Sequence, residues 1–523
     1  MMRSTIALAC ALACPLAGSA CGARERDSRP NVLLISLDSV RRDMLGCYGA
    51  SFAGRSPSPN LDRLAAEGVR IDDALSSTSW TLPAHATLFT GVPELVHGLE
   101  QDGQRLGDAL PTLAEQLRER GYRTAGVYSG PYLDPRFGLA RGFERWRAGY
   151  GPELARAARA AAEARESVHG LGDATPRDRS YDVLEGCAEI ERALEVASHG
   201  DSSSRAVTEL VLEDLGAAAG DGRPFFLFAH YFDPHYDYVP PPPFDRALDP
   251  EYGGAMDGRD FAARIAAPAV SPRDLAHLRA LHAGELAWAD SEIGRVLAEL
   301  ERLGLAANTL VVVVSDHGDE FLEHGGFGHR HTLYQEVVRV PVILRWPAGL
   351  PAGVVQPGPS SLASVAPTVL ALLDGKASTA PMLSRSPDEG VLGRLIVSPT
   401  GRREDVRVVE SFRWRGIGLL RERSLATARE TLRWIDLAEH PDERSADWSS
   451  DFGRAEAREA LAAFRGEYER LVRLRHAAPP TEKTEDLLAA FRGLGYPGEE
   501  ARAGALPDEG IVLSPPSEPD EHR

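Results

Sequence analysis

At 523 residues the chain is long enough for one large domain and a smaller second unit. Its apolar, charged and aromatic fractions of 43%, 26% and 7% are those of a soluble globular protein. A net charge of −19 and a pI near 5.3 argue against a general nucleic-acid or anionic-membrane binder. They leave room for an anionic substrate, because a bound metal and a few cationic side chains reverse the sign locally.

Residues 1–20, MMRSTIALACALACPLAGSA, place Arg3 ahead of an apolar run from Ile6 to Ala17 and small residues before Cys21. That is the pattern of an export signal, and it is too short for a spanning helix. Cleavage after Ala20 leaves either an ordinary secreted N-terminus or a lipid-modified Cys21, with Gly18 departing from the aliphatic residue usual in bacterial lipoproteins. The expected location is therefore outside the cytoplasm: periplasmic, membrane-anchored or secreted.

After a linker over 21–30, NVLLISL at 31–37 is an apolar run bounded by Pro30 and Asp38, which predicts a strand buried on both faces. In TSWTLPAHATLFTG at 78–91, Pro83 opens a helix running through Ala84 to Phe89 and Gly91 ends it. Thr81 then lies at the helix N-terminus, either as a simple cap or beside an anion drawn to the unpaired N–H groups. A further helix is expected at 111–120, and a helical insertion rich in Ala, Arg and Glu over 152–220. FFLFA at 225–229 and LVVVV at 310–314 repeat the buried-strand pattern. Between them, Leu286, Ala289, Ile293, Leu297 and Leu300 keep helical spacing within 272–303. Strands alternating with helices predict an α/β fold with a large, mainly parallel sheet. Ser, Pro and Gly mark 376–404 as a linker, and 405–475 reads as a small C-terminal α+β appendage with Leu461, Phe464, Tyr468 and Leu471 on one helix face. The tail spans 476–523, and beyond 500 it is acidic and proline-rich, which favours disorder of that part. Cys47 and Cys187 remain either a disulfide or two separate buried thiols.

Asp38 directly follows the first strand, and Asp316 and His317 follow LVVVV in the string SDHGDE. Ligands gather at the carboxyl ends of parallel strands, so these distant segments can meet there. Two carboxylates and an imidazole suit a divalent metal, with Thr81 Oγ1 available as a further ligand. Histidines crowd the neighbouring segments: His85 beside Thr81, His97 in VHG, His230 and His235 in HYFDPHYDY, and His324, His329 and His331 in EHGGFGHRH. A single such histidine is usually structural; position after a predicted strand or beside Thr81 singles out His97, His235 and His329.

Several stretches together resemble the sulfatase family of the alkaline phosphatase superfamily. They are PNVLLISLDSVRRDMLGCYG at 30–49, SPNLDRLAAEGVRIDDA at 58–74, TLPAHATLFTG at 81–91, HYFDPHYDYVPP at 230–241, NTLVVVVSDHGDEFLEHGGFGH at 308–329 and LYQEVVRVPVILRWP at 333–347. WIDLAEHPDE at 434–443 matches more faintly. The resemblance implies an alkaline-phosphatase-like catalytic domain over 31–375. It also implies one divalent ion, Ca, Mn, Zn or Mg, held by Asp38, Asp316, His317 and Thr81. Catalytic roles fall to Thr81, His97, His235 and His329, which contact the anion or protonate the leaving group, and substrate binding to His85 and His230.

Two departures qualify this. Ser39 stands where many family members carry a second aspartate, which shifts the metal preference from calcium toward a transition ion. Thr81-Leu82-Pro83-Ala84-His85 replaces the C/S-x-P-x-R string whose first residue is oxidised to formylglycine, so no formylglycine is expected. A sulfated threonine lacks the exit open to a formylglycine hydrate, whereas a phosphothreonine is released by attack of water at phosphorus. The expectation is an exported, metal-dependent hydrolase of phosphate or sulfate esters, on a small molecule, glycan or lipid, with Thr81 as unmodified nucleophile. Two alternatives stand beside it: an arylsulfatase-like enzyme in which water attacks, and a catalytically inactive anion-binding lipoprotein.

Overall fold

The computed structural model describes residues 28–478 apart from 102–103, 152–154, 157–201, 236, 260–269, 385–388, 399–404 and 445–446. The export signal, Cys21, Cys187 and the tail after 478 lie outside the described residues.

NVLLISL forms β1 (Asn31–Leu37), buried along its whole length. It pairs in parallel with β5 (Phe225–Tyr231) on one side and β6 (Thr309–Ser315) on the other. The unbroken apolar run follows, because neither face of a central parallel strand meets water. With β2 (Val69–Leu75), β3 (Arg123–Tyr128), β4 (Arg145–Ala148), β9 (Arg339–Arg345) and β10 (Val354–Ser361), the sheet order is β10-β2-β9-β6-β1-β5-β3-β4, and only β9 runs antiparallel to its neighbours. A short ribbon, β7 (Glu320–Phe321) with β8 (Phe327–Gly328), lies in the loop beyond β6.

Side chains of β1 alternate between two helical layers. Leu33, Ile35 and Leu37 join a core with α1 (Pro59–Ala66), α5 (Ser204–Asp221) and α6 (Pro272–Arg302). Val32 and Leu34 join the opposite core with α2 (Thr81–Thr90), α4 (Leu113–Glu119) and α7 (Val365–Leu373). Local signals set the ends of these helices. Ser271 accepts a hydrogen bond from Asp274 N ahead of Pro272 in α6, Thr112 and Glu115 form a capping box on α4, and Gly91 ends α2 at φ 75.

Two boundaries differ from expectation. The last part of the expected helical insertion packs with the main domain: Val207, Val211 and Leu215 of α5 (Ser204–Asp221) lie in the core beside the sheet. Residues 391–397, inside the expected linker, form β11 (Val391–Val397), first strand of an antiparallel sheet with β12 (Arg407–Trp414), β13 (Ile417–Ser424) and β14 (Glu430–Asp436). Arg394 interrupts the apolar run that would have betrayed this strand. It is buried, with its charge met by Glu100 at 2.7 Å and by Glu410. The helix α8 (Ala455–Val472) packs Leu461, Phe464, Tyr468 and Leu471 onto one face of this sheet, together with Leu95 and Val96 of α3 (Glu94–His97). Val391, Leu395, Val409, Leu420 and Ile435 join the main core. No helix among the described residues is long and apolar enough to cross a membrane.

Candidate active site

The strands β1, β6, β5 and β3 end at one edge of the sheet, where Asp38, Asp316, His317 and Ser129 are the next residues and His230 is the second-last residue of β5. Thr81 arrives from the start of α2. No side chain caps that helix; Thr81 Oγ1 instead lies 3.4 Å from Asp38 Oδ2 and 3.3 Å from His317 Nε2. The simple capping role is therefore replaced. Ser39, in the left-handed region at φ 57, donates its Oγ to Asp38 Oδ1 at 2.7 Å and its N–H to Asp316 Oδ1 at 3.2 Å. The His317 N–H adds a second donor to Asp316 Oδ1 at 2.8 Å.

Buried carboxylates so close together titrate apart. Burial pushes the Asp38 carboxyl upward, but the facing imidazoles of His230, His235 and His317, when protonated, outweigh it and hold Asp38 well below the usual range. Burial, and then the Asp38 charge, push Asp316 well above it. Burial also lowers His317 to about 4 and His85 and His329 to about 3, so these rings are neutral at pH 7 and keep a lone pair.

Ligand atoms of Asp38, Asp316 and His317 all lie within 4.8 Å of one another. Asp316 Oδ2 and His230 Nε2 are buried with no hydrogen-bond partner among the described residues. Such orphaned atoms beside two carboxylates fit a divalent cation.

Of the remaining candidates, His235 and His329 stand together at the rim of this group, ring centroids 5.1 Å apart. His329 is also 4.3 Å from the ring of His317. His85 is removed from substrate binding, since it donates from Nδ1 to the Thr81 carbonyl at 2.8 Å and accepts at Nε2 from Ser36 Oγ at 2.9 Å. It holds the start of α2 instead. His230 turns its Nε2 toward Asp38 Oδ2, 3.3 Å away, so it faces the carboxylates. His97 does not join the cluster. It accepts from Leu99 N at 3.1 Å and donates to Thr87 Oγ1 at 3.1 Å, six residues along α2 from Thr81 and so about 9 Å down the helix. Thr87 in turn donates to Glu94, which ties α2 to α3.

The sequence reading missed four residues. Asp319 Oδ1 accepts from His329 Nδ1 at 2.7 Å, and its Oδ2 accepts from the Tyr238 hydroxyl at 2.5 Å. His282 of α6 donates from Nε2 to the Ser39 carbonyl at 3.1 Å and steadies the Asp38 loop. Arg330, at φ 68, donates to the Tyr132 hydroxyl at 2.9 Å and stacks 4.1 Å over Trp80, the residue before Thr81. Asp319 and Tyr238 lie inside the quoted motifs SDHGDE and HYDYVPP, where they could have been noticed; nothing in the helical run of α6 marks His282.

Neutral imidazoles, paired carboxylates, a helix start and a guanidinium at one sheet edge give an anionic ester and its balancing cations partners in the same place, which puts the protein among α/β enzymes that act on such esters. Comparison with known proteins narrows this. The sulfatase family model matches residues 30–375. The sulfatase YidJ of Escherichia coli K12 is 26% identical over 364 residues, 66% of this chain and 68% of that protein. The multifunctional alkaline phosphatase superfamily protein PehA of Trinickia caryophylli is 29% identical over 391 residues, 67% of this chain and 74% of that protein. Among solved structures, the phosphonate monoester hydrolase of Silicibacter pomeroyi aligns with a TM-score of 0.60 at 21% identity, covering 85% of this chain and 96% of its own. The chain belongs to the sulfatase family. It is an ester-hydrolysing enzyme acting on sulfate or phosphorus esters.

Proposed function

We propose that the protein is an exported phosphoric or phosphonic ester hydrolase in which Thr81 is the unmodified nucleophile. The observation that carries this is the placement of Thr81 Oγ1, 3.4 Å from Asp38 Oδ2 and 3.3 Å from His317 Nε2, on a side chain free of any capping duty. Asp38, Asp316, His317 and Thr81 would hold a divalent ion, which would lower the pKa of the Thr81 hydroxyl and neutralise a substrate oxygen. Arg330 offers a permanent positive charge beside Trp80 for the anionic group.

In the first half of the reaction Thr81 gives its hydroxyl proton to bulk water as Oγ1 bonds to phosphorus, and the bond to the leaving alcohol breaks; the alcohol oxygen takes its proton from His235. In the second half, water attacks the phosphothreonine. His329, oriented by its Nδ1–H bond to Asp319, takes the water proton on Nε2. The phosphorus–Oγ1 bond then breaks, Oγ1 takes the proton held by His329, and His235 regains its proton from bulk water. The substrate is an ester of a small molecule, glycan or lipid.

A second reading, direct attack of water on a sulfate ester with Thr81 only a ligand, is favoured by the match of residues 30–375 to sulfatases. A rapid acid quench with an aryl phosphonate or phosphodiester decides between them. The proposed route places one phosphoryl-type group on the peptide containing Thr81, and turnover without that adduct refutes it.

A further inference from the structure

We infer that His230 is a fifth ligand of the metal site, so that two imidazole nitrogens and three oxygens face one ion; this rests on the metal reading above. His230 Nδ1 lies 2.8 Å from the carbonyl oxygen of Ser129. A carbonyl oxygen only accepts, so Nδ1 carries a hydrogen, and the tautomer this selects has its lone pair on Nε2. That nitrogen is buried, lacks a hydrogen-bond partner among the described residues, and sits 3.3 Å from Asp38 Oδ2. Two acceptors facing each other at that distance in a dry interior repel unless positive charge lies between them.

His317 is arranged in the same way. Its Nδ1 donates to the Gly318 carbonyl at 3.2 Å, leaving Nε2 at 3.3 Å from Thr81 Oγ1 and 3.5 Å from Asp316 Oδ2. Neighbouring donor pairs, His230 with Asp38, Asp38 with Thr81, and His317 with Thr81 and Asp316, are thus 3.3 to 3.5 Å apart, and His317 Nε2 lies 3.9 Å from Asp38 Oδ1. That is close to the ligand–ligand spacing around an ion bound at roughly 2.1–2.4 Å.

His85 is the informative contrast. Its Nδ1 comes within 3.7 Å of Asp316 Oδ2, yet both ring nitrogens are taken by Thr81 and Ser36, so no lone pair remains to ligate. Ser39 is likewise withdrawn, because its hydroxyl donates to Asp38. His230 therefore fills the ligand position that Ser39 leaves without a carboxylate, and fills it with nitrogen. A mixed nitrogen and oxygen set selects a first-row transition ion, whereas calcium takes oxygen donors.

The test uses the whole protein, freed of metal by chelation and titrated with Co²⁺, Zn²⁺ and Ca²⁺. His230→Ala should weaken Co²⁺ and Zn²⁺ binding by about a hundredfold, weaken Ca²⁺ binding far less, and alter the visible absorption of the Co²⁺ protein. His230→Gln should show the same spectral change and serves if the alanine variant does not fold. A Co²⁺ spectrum and Zn²⁺ affinity matching the wild type in a folded variant would overturn the inference and leave His230 an imidazolium partner of Asp38. A wild type that binds none of the three ions would overturn the metal reading beneath it as well.

Discussion

Thr81 is the position where packing and chemistry can be separated by one methyl group. Its side chain is 4% exposed, so Thr81→Ser deletes one buried methyl and should cost about 1 kcal/mol of stability. The oxygen stays, but serine lacks the β-branch that restricts χ1. If attack needs one of three staggered wells, the loss in kcat is at most about threefold, or roughly 0.65 kcal/mol. Thr81→Ala removes the same methyl and the oxygen together. Stability should fall by a similar order, whereas kcat should fall by several orders of magnitude. The assay is steady-state turnover of paired aryl phosphate, phosphonate and sulfate esters with metal in excess, alongside urea denaturation of each variant. Recovery of Thr81→Ala to within about tenfold of the wild-type kcat at saturating metal would refute the nucleophile assignment, because the oxygen would then have served only to hold the ion.

Three further outcomes are expected. Arg394→Leu strands the buried Glu100 and Glu410 with only Arg475 and Arg421 as partners, and should destabilise the protein by about 3 kcal/mol in urea unfolding. Burial lowers the His324 pKa, but the Glu336 contact at 2.6 Å and the Glu443 carbonyl outweigh it and raise it from 6.5 to about 9. The resulting stabilisation, on the order of 2 kcal/mol, is complete below about pH 6.5 and lost as pH rises through 9; unfolding midpoints compared at pH 6 and pH 9.5 should converge in His324→Gln. At Gly98, φ is +73 and an added Cβ would stand 2.2 Å from the His476 carbonyl oxygen. Gly98→Ala should therefore release residues 476–478 from α3 and speed proteolysis beyond Val472, as read by mass spectrometry of the fragments.

How legible each element was depended on where its constraints come from. β1, β5 and β6 declare themselves because a central parallel strand is apolar on both faces, and Asp38, Asp316 and His317 follow directly where such strands end. β11 hid because Arg394 occupies its middle, and the residues that make a buried arginine tolerable, Glu100 and Glu410, lie far away in the chain. α5 hid for a related reason: Asp214 on its buried side is neutralised by Arg145 and Arg147 from β4, at 2.8 and 2.6 Å.

The histidines carry the same lesson into the site. The motifs located eight of them, but what an imidazole does depends on which nitrogen keeps a lone pair, and that is decided by its hydrogen-bond partner. For His230 the partner is the Ser129 carbonyl beyond β3, for His85 the hydroxyl of Ser36 on β1, and for His97 the Leu99 amide and Thr87. Two of these four partners are main-chain groups, whose positions no residue type announces. Residue identity and resemblance therefore brought His97 forward as catalytic and His85 and His230 as substrate binders, and hydrogen-bond geometry sorts them into a tie between two helices, a brace for α2 and a nitrogen turned toward the carboxylates.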